Sequence, residues 1–106
     1  MHEMKLHAEP FSRMYAGKKN TEIRLNDKKR QAVSVGDTIL FVNPLMRGEW
    51  TRRTVIKIDH FRYLTTLLAS GIASVEDITL AHNIYAQDSR YRYGFVVFTL
   101  VAKAGQ

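Results

Sequence analysis

The chain of 106 residues has no cysteine, only two prolines and a single tryptophan. It also has no apolar run near the roughly 18 residues that a membrane span needs. Without cysteine there is no disulfide and no thiolate metal site, which agrees with a reducing cytoplasm. The four histidines, at positions 2, 7, 60 and 82, contain no i, i+4 pair, so no metal site is expected. No glycine-rich phosphate loop is present, and Ser12, Ser34, Ser70, Ser74 and Ser89 lack a nucleophile signature, which disfavours a serine hydrolase. The opening MHEMKLHAEPF lacks the apolar core of a signal peptide, so a soluble, cytoplasmic protein without membrane contact is expected. Internal repeats, low-complexity stretches and linkers are missing as well, and only Ala104-Gly105-Gln106 is expected to fray.

Acids are also scarce. Ten Asp and Glu face sixteen Lys and Arg, for a formal charge of +6. Such an excess favours encounter with nucleic acid, nucleotides or another acidic partner without choosing among them. The 45% hydrophobic content is ordinary for a globular core, and the length suits one domain over 1–106.

Along the chain, Met4 to Ala8 reads as a short strand. Pro10 suits the first turn of a helix, Phe11, Met14 and Tyr15 give that helix an apolar face, and Gly17 ends it as a left-handed cap. From Asn20 the period changes to two, with Thr21, Ile23 and Leu25 on one face and Glu22 and Arg24 on the other. Asn26-Asp27 turns the chain into a basic loop, Lys28-Lys29-Arg30. Gly36-Asp37 leads into the central strand Thr38–Val42, and a hairpin turn around Met46–Glu49 returns as a strand from Trp50 to Ile58. Arg52 and Arg53 fall on opposite faces of that strand, so at least one should be exposed. Phe61, Leu64, Leu67 and Leu68 have helical spacing up to Gly71. Ser74 and Asp77 resemble a capping box opening a helix with the stripe Val75, Ile78, His82, Tyr85. After a polar loop, Gln87 to Arg90, the run from Tyr93 to Val101 is the best candidate for a buried strand. About five strands and three short helices give an α+β fold, a small mixed β-barrel with flanking helices.

The stretch GKKNTEIRLNDKKR carries the densest polar pattern. Glu22 and Arg24 share a strand face and can reach one ligand or each other; the plain alternative is a weak exposed ion pair. Lys18 and Lys19 stand just before them, and a lysine near a carboxylate can bind phosphate or carbonyl oxygen or move a proton. Gly17-Lys18-Lys19-Asn20-Thr21-Glu22-Ile23-Arg24 resembles the ASCH domain pattern G-x-K-x-x-E-x-R. Val35-Gly36-Asp37-Thr38-Ile39-Leu40-Phe41 resembles the family's "vGD.i.F" strand, and Tyr93-Gly94-Phe95-Val96-Val97-Phe98 its closing "YGvvai" strand. The resemblance implies a PUA-like fold, a cleft where Lys19, Glu22 and Arg24 meet, and a role in binding RNA or nucleotides without a cofactor.

One bacterial branch of that family hydrolyses N4-acetylcytidine with a Lys, a Thr and a Glu. Lys19 matches its lysine, but Glu22 stands where that branch has threonine. Any hydrolysis here would therefore use Glu22 to activate water, with Lys19 or Arg24 stabilising the oxyanion. For the branch's separate glutamate, Glu76 is the acid at hand, although a helix-start role suits it equally.

Other candidates have plain alternatives. Lys28, Lys29, Arg30, Arg47, Arg52, Arg53, Arg90 and Arg92 can contact phosphates, and Tyr91 and Tyr93 can stack on a base, or all can be solvated surface. Trp50 is a stacking platform or a core-rim aromatic. His82 reads as a core histidine, and Asp37 as a turn residue bonding nearby backbone N–H groups.

Overall fold

The computed structural model describes residues 1–103, so the expectation for residues 104–106 lies outside them. Five strands, β1 (His2–Lys5), β2 (Thr21–Leu25), β3 (Thr38–Val42), β4 (Trp50–Phe61) and β5 (Phe95–Ala102), form one sheet in the order β1-β3-β4-β5-β2. Only β1 and β3 are parallel. The mixed sheet curls into a half-barrel whose edges are β1 and β2.

The helices are α1 (Ala8–Tyr15), α2 (Lys28–Gln31), α3 (Leu64–Ser70), α4 (Val75–Ile84) and α5 (Gln87–Tyr93). Among the described residues that makes five helices rather than three. Lys28, Lys29 and Arg30 form a helical turn, not a loop, because the Asp27 carboxylate caps the Arg30 N–H and pairs with the Arg30 guanidinium. The polar segment from Gln87 is also helical, and it takes Tyr93 out of the strand that was expected to begin there. Neither helix buries a residue, so neither carries the apolar period by which helices are recognised.

β5 is buried on both faces, as its unbroken apolar run predicts. Val96, Phe98 and Leu100 join Met4, Phe11, Met14, Ile39, Phe41 and Val55 in one apolar cluster. Phe95 and Val97 join Ile23, Leu67, Ile78 and Ala81 in a second, under α3 and α4. Residues directly opposite in an antiparallel pair share a face. Glu22 opposite Phe98, and Arg24 opposite Val96, therefore stand on the α1 side, while Ile23 faces α4.

Arg53 is buried on β4 and donates to the carbonyl oxygen of Met14 at 2.8 Å, tying the end of α1 to the sheet. Burial lowers the pKa of its guanidinium. Arg52 is half-buried with its guanidinium 5.3 Å from the centroid of the Trp50 ring, so neither arginine is the exposed residue expected. Trp50 itself is 43% exposed at the sheet margin. His82 is exposed and not part of the α4 core face, which runs through Asp77, Ile78 and Ala81. Asp37 accepts from the Ser34 N–H as a turn residue, and it also pairs with His2 at 2.9 Å. Those two contacts, the backbone bond first, hold its carboxyl below the usual value.

Candidate functional site

The end of α1 sets up the cleft. Gly17 adopts φ +78°, and the Gly17 N–H donates to Met14 O while the Lys18 N–H donates to Arg13 O. This is a Schellman cap, which needs a residue without a Cβ penalty in the left-handed region. It leaves Lys18 exposed and turns Lys19 inward, where its side chain is only 2% exposed.

Three oxygens surround Lys19 Nζ: Thr21 O at 2.6 Å, Asp77 Oδ2 at 3.1 Å and Glu22 Oε1 at 3.3 Å. An ammonium has three N–H groups, so the set matches its donors. Glu22 Oε2 in turn accepts from Arg24 Nε at 2.7 Å and pairs with Nη2 at 2.6 Å. Arg24 Nη2 also donates to Lys5 O at 2.6 Å, linking β2 to β1 across the open side of the half-barrel. On the far side, Asp77 Oδ1 accepts from Arg13 Nη2 at 2.8 Å, and Arg13 Nε donates to Glu9 at 2.6 Å.

The acid that joins this network is Asp77 rather than Glu76, which is exposed. Ser74 Oγ accepts the Asp77 N–H as in a capping box. The Asp77 carboxylate does not return to Ser74, however, and closes on Arg13 and Lys19 instead. Burial works to raise the pKa of this carboxyl, but the Arg13 hydrogen bond and the nearby Lys19 charge outweigh it and hold the value below the ordinary 3.8. The hydrogen bond to Glu9, followed by that to Asp77, raises the Arg13 pKa. A carboxyl depressed in the folded state adds stability that is complete above the unfolded value and is lost as pH falls through the folded one. The urea midpoint should therefore fall as pH drops below about 4, and Asp77→Asn should flatten that fall. An unchanged slope in the variant would remove Asp77 from the account.

A cleft of about 280 Å³ opens beside the network, lined by Lys19, Glu22, Arg24 and Asp77 on one side and by Leu80, Ile84 and Tyr85 on the other. Burial raises the pKa of the Tyr85 hydroxyl. Arg30 reaches the rim of the cleft. Lys18, Lys28, Lys29 and Tyr93 do not line it, so the candidate ligand set divides. Arg13, Asp77 and Tyr85 were missed from sequence. The Ser74–Asp77 spacing was the one signal of an inward acid, and it was spent on the cap. Among the described residues, no group of three or more His, Cys, Asp or Glu is placed to hold a metal ion, and no helix is long and apolar enough to cross a membrane.

A curled five-stranded mixed sheet with helices at its sides, holding a polar network at one edge, defines an α+β protein of the PUA-like class. The chain belongs to the ASCH domain family, which matches residues 4–103. It is similar to the hypothetical protein PH0355, seen in a crystal structure, with 26% identity and TM-score 0.77 over 95% of this chain and 97% of that one. Protein PF0455 from Pyrococcus furiosus, solved by solution NMR, shares the fold with 24% identity, TM-score 0.69 and 97% of each chain. A mutant ZmASCH from Zymomonas mobilis shares it with 16% identity and TM-score 0.60, over 93% of this chain and 66% of that one. No curated protein matches the chain in sequence.

Proposed function

We propose that the protein binds RNA or a nucleotide-derived ligand, with an uncharged base or nucleoside entering the cleft between Glu22 and Tyr85. The carrying observation is charge balance: Lys19 and Arg24 are matched by Glu22 and Asp77. With Lys19 and Arg24 paired, and the exposed Lys5 at the rim, the inner cleft has little to offer a phosphate, but it can satisfy a neutral polar edge. Arg24 supplies a spare donor group, because Nε and Nη2 carry its hydrogen bonds and Nη1 carries none among the described residues. Glu22 keeps acceptor capacity, since two carboxylate oxygens offer about four lone-pair sites. Leu80, Ile84 and Tyr85 supply the apolar wall. The volume of about 280 Å³ lies just below the usual range of ligand pockets, roughly 300–1,000 Å³, which suits one base rather than a strand.

The test is an amide-shift titration by NMR with cytidine, N4-acetylcytidine and inorganic phosphate. Cytidine should shift Lys19, Glu22, Arg24 and Tyr85 where phosphate does not, and Glu22→Gln should weaken that binding about tenfold, the loss of one charge-assisted hydrogen bond. Shifts absent from these residues would refute the assignment.

Hydrolysis of an acylated base is the second reading, favoured by the two carboxylates that flank Lys19. Glu22 would take a proton from water as the water oxygen attacks the acyl carbon, with Arg24 at the oxyanion and the amine leaving protonated. It ranks lower because both Glu22 oxygens are engaged with cations and Lys19 has no free donor. Product from N4-acetylcytidine in the same tubes, lost in Glu22→Gln, would reverse the ranking.

A further inference from the structure

Lys19, Arg24 and Arg30 of the cleft are paired, which leaves the exposed Lys5 at its rim, so most of the attraction of the +6 chain for a polyanion comes from elsewhere. Arg62, Arg90 and Arg92 form no ion pair among the described residues. Arg62 and Arg90 meet on one face, where the end of β4 runs into α3 beside α5, whereas Arg92, two residues further along α5, does not line it. Arg62, Tyr63, Arg90 and Tyr91 line a depression there of about 400 Å³ with Phe95 and Leu64. Tyr63 and Tyr91 are 53% and 56% exposed. The Arg90 Nε is shielded from solvent without a hydrogen-bond partner, a donor left unspent in the free protein. Arg92 lies 5.5 Å from the Tyr93 ring centroid. The only acid on α5 is Asp88, and α3 has none.

We infer that this α5 face is a docking surface for single-stranded RNA, separate from the cleft. Arg62 and Arg90 take phosphates, and Tyr63 and Tyr91 stack on bases. Unpaired arginines alone would suit any polyanion. Large exposed rings interleaved with them suit a strand whose base faces are free, which a duplex does not offer. The surface also adjoins the cleft: the ring of Phe95, which lines this depression, lies 6.3 Å from that of Tyr85, which lines the other. A strand held on α5 therefore passes within one layer of rings of the base site. The inference shares its ligand class with the reading of the cleft but uses none of the same residues.

The experiment measures binding of a fluorescein-labelled, mixed-sequence RNA 12-mer to the full chain by anisotropy, across a salt series. Two variants are compared with the parent, Arg62→Gln/Arg90→Gln and Tyr63→Ala/Tyr91→Ala, each checked for an unchanged urea midpoint. The arginine variant should lose tenfold or more in affinity and flatten the log K against log salt slope by about 1.4, at roughly 0.7 per single-strand phosphate. The tyrosine variant should lose about tenfold or more with the slope kept. Cytidine shifts at Lys19 and Glu22 should persist in both. An arginine variant with parental affinity and slope overturns the inference, as does equal binding of duplex RNA with no effect of the tyrosines. If the parent binds no RNA, the surface assignment fails while the nucleoside titration still judges the cleft.

Discussion

Lys19→Met is expected to lower the unfolding free energy by about 3–5 kcal/mol, the usual cost of removing one member of a buried ion pair. The substitution strips a partner from Asp77 Oδ2, Glu22 Oε1 and the Thr21 carbonyl at once. Each carboxylate keeps one arginine, Arg13 or Arg24, which prevents complete exposure of an unpaired buried charge. Against a typical total of about 5–15 kcal/mol, the loss is a large fraction of the stability of such a chain. Lys18→Met is the control, since its side chain is exposed and should change stability by less than about 0.5 kcal/mol. Urea unfolding of both variants at pH 7 reads the contrast. A Lys19 variant within 1 kcal/mol of the parent would mean that the network contributes little to the folded state.

Gly94→Ala is the second large effect, at about 2–3 kcal/mol. Gly94 joins α5 to β5 at φ 66°, ψ −163°, a region that is essentially glycine-only. A Cβ there would also sit 3.1 Å from the backbone oxygen of Phe61 in the neighbouring strand, which would have to give by a few tenths of an ångström. Its own carbonyl accepts the Asn26 N–H at 3.0 Å, so a shift of this backbone would disturb the turn after β2 as well. Gly71→Ala gives the comparison. Gly71 is left-handed at φ 71°, but its Cβ would meet nothing within 4 Å, so it should cost only about 1–2 kcal/mol. Equal midpoints for the two variants would mean that the approach to Phe61 is relaxed at no cost.

Both effects fall within stretches that carry the family resemblance, and they differ in how far the sequence explains them. The pattern Tyr93-Gly94-Phe95 marks a glycine before a buried strand without saying that Tyr93 belongs to a helix. Tyr93 is 36% exposed with its ring beside Arg92, and it does not line the cleft. The segment from Gln87 shows no period because it buries nothing, whereas β5 is legible in the sequence because both of its faces are covered. In the same way, the Lys28–Arg30 stretch looked like free phosphate-binding charge, while Asp27 holds its arginine.

By itself the sequence determined the strands β2 to β5, the glycine that ends α1, and the shared strand face of Glu22 and Arg24. All of these are set by neighbours a few residues away, through period, cap and alternation. The strand expected from Met4 to Ala8 lies instead at His2–Lys5, and Ala8 opens α1. Only the tertiary structure decided that Asp77 completes the network, 58 positions from Lys19 and 64 from Arg13, and that Arg24 bridges to Lys5 on the opposite edge of the half-barrel. It also decided which cations are spent and which remain free. The pairing of a charge depends on what chain folding carries within about 4 Å of it, and local spacing does not encode that distance.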